Sequence, residues 1–214
     1  MKSNKNTKTS PKKNTRKHTP HDYLKQMIIE SSYNTVKLHG FEKLTIRNIT
    51  KDVGCAVGMP YKLFKNMDEI IIEVNSITLK EIHEYIEKSY QAQKGDAENI
   101  HNFANAYISY SNENYNLWSM LFEYKIKDKT QLTKEYKDRI EKNFLIIEKT
   151  IDNIKTGNSN KLNSNQKIAA RVLWTGIHGI CILANSGKLE ITNSEDAEIL
   201  VSSLIDNYIR GLTS

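Results

Sequence analysis

Apolar residues recur along this chain at intervals of three and four, the spacing of one face of an α-helix. In "HDYLKQMIIESSYNTVKLHG" (21–40), Leu24, Ile28, Ser31 and Thr35 fall on one side with Met27 and Val36 flanking, which predicts a first helix stopped by Gly40 as a left-handed residue. "FEKLT" is a short link. Its Thr45 is placed to cap the next helix, "IRNITKDV", by accepting from the free N–H groups. Gly54 breaks that helix. "NMDEIIIEVNSITLKEIHEYIEKSYQ" then reads as a long helix starting near Asn66, with acids in its first turn at the positive end of the helix dipole.

Between these elements lies "VGMPYKLF" (57–64), with Pro60 in its middle. Proline inside a helix costs about 3 kcal/mol, but it is welcome at the first helical position. The segment therefore predicts an irregular or 3₁₀ turn over 57–59, then a regular helix from Pro60. Met59 would be its cap, pushed out of the right-handed helical region by the following proline. Two short helices joined by a tight glycine-containing turn, with one helix before and a long one after, make a helix-turn-helix. Ile46, Ile49, Val53, Val57 and Phe64 are expected to hold the pair together.

The far end of the chain predicts two more helices, "NQKIAARVLWTGIHGICILANS" and "SEDAEILVSSLIDNYIRGL", after a polar loop "KTGNSNKLNSN" (155–165). In the last helix Ala197, Leu200, Val201, Leu204, Ile205 and Tyr208 recur at helical spacing, and Ser202 and Ser203 would let a partner helix approach closely. That face is either buried within the subunit or packed on a second copy.

Composition narrows the class. Of 214 residues, 38% are hydrophobic and only 3 are Pro and 9 Gly, which predicts an all-α protein with long helices. No run of 18 or more apolar residues and no cleavable leader are evident, so a soluble cytoplasmic protein with no membrane span is expected. Cys55 and Cys181 form no CxxC pair, which argues against a disulfide framework or thiolate metal site; Cys55 reads as a small apolar plug. His83 and Glu87 share a helix face, but two ligands are too few for a metal. With no Gly-rich phosphate loop and no HExxH, neither a cofactor nor an enzyme is expected.

Charge adds a partner. The net charge is +6, yet residues 1–20 hold seven Lys/Arg and no acid, leaving 24 basic against 25 acidic residues elsewhere. A disordered basic tail is predicted, either an arm on nucleic acid phosphates or a solvated leader. From Lys43 to Lys65 there are five basic residues and one acid, Asp52, the footprint of a DNA-facing surface or of a structural hairpin with solvated lysines.

"LTIRNITKDVGCAVGMPYKLFKNMDEII" (44–71) resembles the DNA-binding segment of the TetR family of bacterial transcriptional regulators, at Thr45, Ile46, Ile49, Gly54, Gly58, Tyr61, Phe64, Lys65, Glu69 and Ile70. Gly40-Phe41 matches the family's turn after the first helix. The segments 106–122 and 171–189 resemble the branch whose C-terminal domain carries a Trp-His-Gly signature, here Trp174, His178 and Gly179, with Gly187 closing the helix. The chain departs from the family at Ala56, where Ser or Thr is usual, and at Met67, where many members carry Lys.

In a helix-turn-helix the second helix enters the major groove. By that geometry Val57, Met59 and Lys62 are candidates for the groove, and Tyr61, Lys62 and Lys65 for phosphate. Thr45 and Arg47 open the preceding helix, where N–H groups and the dipole favour phosphate. Tyr115, Trp118, Met120, Leu121 and Phe122 form an aromatic-rich cluster, either core or the wall of an apolar pocket. The resemblance implies a small-molecule cavity in the C-terminal helices, with Tyr115, Trp118, Phe122, Trp174 and His178 as ligand candidates. His178 and Cys181 read otherwise as packing against Trp174 and Ile182.

The resulting expectation is an all-α chain of about nine helices, with a tail (1–20), a helix-turn-helix domain (21–66) and a ligand-binding and dimerisation domain (67–214). The resemblance implies a homodimer through the last two helices, double-stranded operator DNA as partner, and repression released by a small apolar or amphipathic effector. Alternatives are a ligand-independent activator or architectural DNA binder, and a helical enzyme or adaptor with a purely structural hairpin.

Overall fold

The computed structural model describes residues 20–156, 164–191 and 196–213. The tail predicted over 1–20 lies outside these residues except for Pro20, which opens the first helix. Among the described residues ten α-helices follow in order, where about nine were expected: α1 (Pro20–His39), α2 (Ile46–Val53), α3 (Pro60–Leu63), α4 (Met67–Ser89), α5 (Asp96–Glu113), α6 (Tyr115–Glu123), α7 (Lys134–Thr156), α8 (Ser164–Asn185), α9 (Lys188–Ile191) and α10 (Ala197–Thr213). The additional short element is α9, a single turn after Gly187. Of the polar loop expected over 155–165, residues 157–163 lie outside the description, while 155–156 end α7 and 164–165 begin α8.

Local chemistry explains the start of the chain. Ile28, Ser32 and Val36 form the buried stripe of α1 together with Ser31, whereas Thr35 is only half-buried. The stripe is thus rotated by one residue from the predicted one. The cause is packing: α1 turns toward Leu44, Ile49, Phe64 and Ile70, and Val36 sits fully inside that cluster. Gly40 has φ 80° and ψ 166°, so it is not left-handed helical as expected. It is an extended conformation with positive φ, open to glycine because it lacks a Cβ. A Cβ there would lie 2.9 Å from Glu42 Oε2. One turn of 3₁₀ helix, Phe41–Lys43, then leads to α2.

The long helix α4 ties the molecule together. Asn66 caps it by accepting the Glu69 N–H at 3.1 Å, and the Glu69 carboxylate accepts the Lys65 N–H at 2.7 Å. Its first turns bury Ile70, Ile71 and Val74 against α1–α3, and Leu117 and Met120 of α6 complete that core. Its later turns bury Ile82 and Ile86 in a second core built from α5, α7, α8 and α10. The helix-turn-helix core therefore includes α6, a helix remote in sequence.

Lys167–Asn185 of α8 is long and apolar enough by composition to cross a membrane, with Lys167 and Arg171 as its charged residues. Only 22% of that window is buried in the chain. Its inner face, with Ala170, Leu173, Ile177 and Cys181, is buried in the second core.

Candidate nucleic-acid interface and apolar cavity

The helix-turn-helix is built by caps. Thr45 Oγ1 accepts the Asn48 N–H at 3.2 Å and starts α2. Gly54 ends it in a left-handed conformation, φ 73° and ψ 31°, and the Gly54 and Cys55 N–H groups both donate to the Thr50 carbonyl at 3.0 Å. Residues 57–59 form turns, and the regular helix begins at Pro60. Pro60 is buried and stands at the first helical position, where no N–H is needed.

Met59 differs from the expectation. It caps α3 in a right-handed helical conformation, φ −68° and ψ −43°. The reason lies in its bonds: the Met59 N–H donates to the Ala56 carbonyl at 2.9 Å, and its own carbonyl accepts the Lys62 N–H at 3.0 Å. These i to i+3 bonds hold the turn tightly enough to override the bias imposed by the following proline. Val57 is 57% exposed and so takes no part in the core that joins the two helices. Ile49 and Phe64 are buried there, with Ile46 and Val53 packed against them.

What this leaves outside is a basic face. Thr45, Arg47, Val57, Tyr61, Lys62 and Lys65 are exposed, and Met59 is half-buried beneath them. Among the described residues none of Lys43, Arg47, Lys51, Lys62 and Lys65 sits in an ion pair. Tyr61, 62% exposed, sits beside Lys62 with no aromatic partner among the described residues. The Phe64 ring behind them is buried, with Lys25 Nζ 5.1 Å from its centroid.

The second feature is a cavity of about 210 Å³ between α4, α5, α6, α7 and α8. Leu79, Ile82, Ile140, Phe144 and Trp174 are among its walls. Of the five predicted ligand residues, Phe122 and Trp174 line it; Tyr115, Trp118 and His178 do not. Trp118 is buried, and its indole N–H donates to the Tyr107 hydroxyl at 3.0 Å. That hydroxyl is 2.8 Å from His178 Nδ1. With the imidazole neutral and Nδ1 unprotonated, the Tyr107 hydroxyl donates to Nδ1 while its oxygen accepts from Trp118; the roles depend on the His178 tautomer. Burial pushes the His178 pKa down and the Tyr107 pKa up, in keeping with both staying uncharged.

His178 is one ring in an aromatic stack. Its centroid lies 5.0 Å from Trp174 at an interplanar angle of 20°, and 4.4 Å from Phe122. It fixes the two rings that face the cavity. Tyr115 is 41% exposed and leans on Trp118 at 6.4 Å. The cavity residues that sequence reasoning missed come from α4, α5 and α7: Leu79, Ile82, Tyr107, Ile140, Asn143 and Phe144. Their available signal was the run Ile140, Phe144, Ile147 at helical spacing.

No protein-family model matches the sequence, and no curated protein matches it. Solved structures match in fold. A protein of unknown function from Rhodococcus sp. RHA1 aligns with a TM-score of 0.72 at 15% identity, over 95% of this chain and 100% of that one. The transcriptional regulator FadR of Bacillus subtilis, solved in complex with stearoyl-CoA, aligns at 0.59 with 16% identity, over 87% and 98%. The TetR family transcriptional regulator PfmR of Thermus thermophilus aligns at 0.56 with 19% identity, over 87% and 99%.

The chain has the TetR-type fold. Within that fold the two departures noted in the sequence have visible consequences. Ala56 offers no capping oxygen, and no helix starts there. Met67 is half-buried and packs on the α1–α4 core, leaving Lys65 as the exposed cation before α4.

Proposed function

We propose that the chain is a cytoplasmic DNA-binding transcriptional regulator, a repressor that a small apolar or amphipathic effector releases from its operator. The observation that carries this reading is a set of exposed cations without ion-pair partners among the described residues: Arg47 near the N-terminus of α2, Lys62 and Lys65 on and after α3, and Lys43 and Lys51 in a groove that α2 shares with α1. Thr45 and Arg47 would meet phosphate there, as would Tyr61, Lys62 and Lys65, and Val57, Met59 and Lys62 would reach into the groove. Few of these side chains can make bidentate base contacts. Apolar contact with thymine methyls and DNA shape would therefore carry much of the specificity.

The reading includes a homodimer. Ile168 and Val172 on α8 are 59% and 54% exposed, and Ile182, Leu183 and, on α10, Ile199 are exposed with them. Gly179 lies on the same side of α8 with nothing within 4 Å of the position of a Cβ, room for a close helix approach. A second copy covering this face would also account for an apolar helix that the subunit buries so incompletely. On this reading Trp174, His178 and Gly179 are the signature of a Trp-His-Gly-type C-terminal domain, and the chain is not an enzyme.

The apolar cavity favours an effector over a ligand-independent binder, and the Bacillus subtilis FadR complex is an example of this fold with a long-chain acyl ligand. An effector would act by binding more tightly to a subunit arrangement whose recognition helices no longer match successive grooves. Fluorescence anisotropy with duplex DNA from the promoter of its own gene tests the reading. Salt-dependent binding in preference to unrelated duplex supports it, and equal binding to both duplexes counts against it.

A further inference from the structure

Among the described residues, no Asp, Glu, Lys, Arg or His side chain lines the apolar cavity between α4 and α8. Its polar walls are Tyr107, Tyr136, Asn143 and the Trp174 indole, all of them neutral. The Tyr107 hydroxyl is already held between Trp118 Nε1 and His178 Nδ1, at 3.0 and 2.8 Å. Asn143 gives its amide nitrogen to the Leu79 and Arg139 carbonyls, and its Oδ1 is closed to solvent. Tyr136 is buried, and burial raises its pKa, so the phenol keeps its proton. Arg171 lies 4.6 Å from the Phe144 centroid, but it is bound to Glu148 at 2.6 Å and does not line the cavity. A charged group placed inside would give up its water and find no partner.

The walls instead suit a ring. Trp174 stands edge-on to Phe144 at 5.5 Å and 84°, and 5.8 Å from Phe122 at 44°. An aromatic guest extends this edge-and-face pattern. Size sets a second limit. A cavity of roughly 150 Å³ lined by Leu, Ile and Phe stays dry and takes benzene, so about 210 Å³ leaves room for roughly two or three further carbon atoms. A smaller pocket of about 30 Å³ shares Ile86, Tyr107, Ile147 and Trp174 with the cavity, and its other walls are apolar. A longer guest pushed that way would meet no polar partner either.

We propose that the effector is an uncharged aromatic molecule, a single ring with a short alkyl substituent, held wholly within this cavity. This narrows the effector of the proposed function and rests on that reading for its consequence on DNA; binding itself does not. Stearoyl-CoA, the ligand in the Bacillus subtilis FadR complex, is too long and too highly charged for this space.

The test titrates the full-length protein with ethylbenzene, ethylcyclohexane, benzylamine and benzoate, similar in size but different in ring type and charge, and with stearoyl-CoA. Binding is read by tryptophan fluorescence, because Trp174 lines the cavity, and by the thermal midpoint. Ethylbenzene should bind at least about tenfold more tightly than benzylamine or benzoate, the least expected when a charge is buried unpaired. It should also bind more tightly than ethylcyclohexane, whose ring has no π-face, and stearoyl-CoA should not bind. Ile140→Phe and Leu121→Phe each place a ring in the cavity and should abolish ethylbenzene binding at an unchanged midpoint. The charge comparison uses the wild type alone, so it decides even where a filled core folds poorly. Benzoate or benzylamine binding as tightly as ethylbenzene, ethylcyclohexane matching it, binding retained in both filled variants, stearoyl-CoA as the tightest ligand, or no binding of any probe overturns the proposal. Promoter binding measured on the same sample separates the two readings. DNA binding without ethylbenzene binding sinks the ligand assignment alone, and ethylbenzene binding without promoter binding sinks the regulator reading alone.

Discussion

The Tyr33 hydroxyl on α1 donates a 2.7 Å hydrogen bond to Oε1 of Glu81 on α4, while Tyr110 on α5 donates to Oε2 of the same carboxylate at 2.8 Å. One acid thus clasps the first helix of the helix-turn-helix to a helix that also carries Tyr107, a wall of the cavity. Burial is the main cause raising the pKa of both tyrosines, and the hydrogen bond to Glu81 adds to it, so both stay protonated donors. Tyr33→Phe keeps the ring and removes the bond. It should lower unfolding free energy by about 1 kcal/mol, as expected for a partly exposed bond to a charged acceptor. Urea denaturation measures this. No change in midpoint would show that the clasp adds nothing to stability.

Acid should weaken the protein through its neutral histidines. The pKa of His178 is pushed below 6.5 by burial, and that of His83 by burial and by Lys142. The unfolded chain binds protons at these sites before the folded one does. Their contribution is therefore fully present above about pH 6.5 and is lost as pH falls through the lowered folded values. Thermal midpoints should drop between about pH 7 and pH 5, and the drop should be smaller in His178→Phe. An equal drop in the variant would remove His178 from the account.

Val172 stands more than half exposed on the outer face of α8. A lysine there would place a charge within the proposed subunit contact. Val172→Lys should convert a dimer to a monomer in light scattering while leaving far-ultraviolet circular dichroism unchanged. A wild-type protein that is monomeric at micromolar concentration would contradict the dimer itself.

Much of the helix-turn-helix could be read from residue types with strong local preferences. Thr45, Gly54, Pro60 and Asn66 each cap or bound a helix where the pattern placed them. Features decided by tertiary packing were less legible. The α1 stripe is rotated because of what it packs against, and Met59 is helical because of the bonds to Ala56 and Lys62. The aromatic residues near the cavity were visible as a cluster, but not which of them face it. Trp118 and His178 stand behind Phe122 and Trp174 in the stack, while α4 and α7 supply walls from segments that look like ordinary amphipathic helix. The seam between α4 and α7 is tied where the Asn143 amide donates to the Leu79 carbonyl, a 64-residue separation that no local pattern encodes.

The central claim is that the basic face around α2 and α3 grips DNA. The most direct measurement is the salt dependence of binding to the promoter duplex, compared between the wild type, Arg47→Ala and Lys62→Ala. Wild-type affinity should fall steeply with salt, and each variant should bind more weakly with the slope of log K against log salt reduced by about 1. Unchanged affinity and slope in both variants, or no salt-dependent binding by the wild type, would contradict the account.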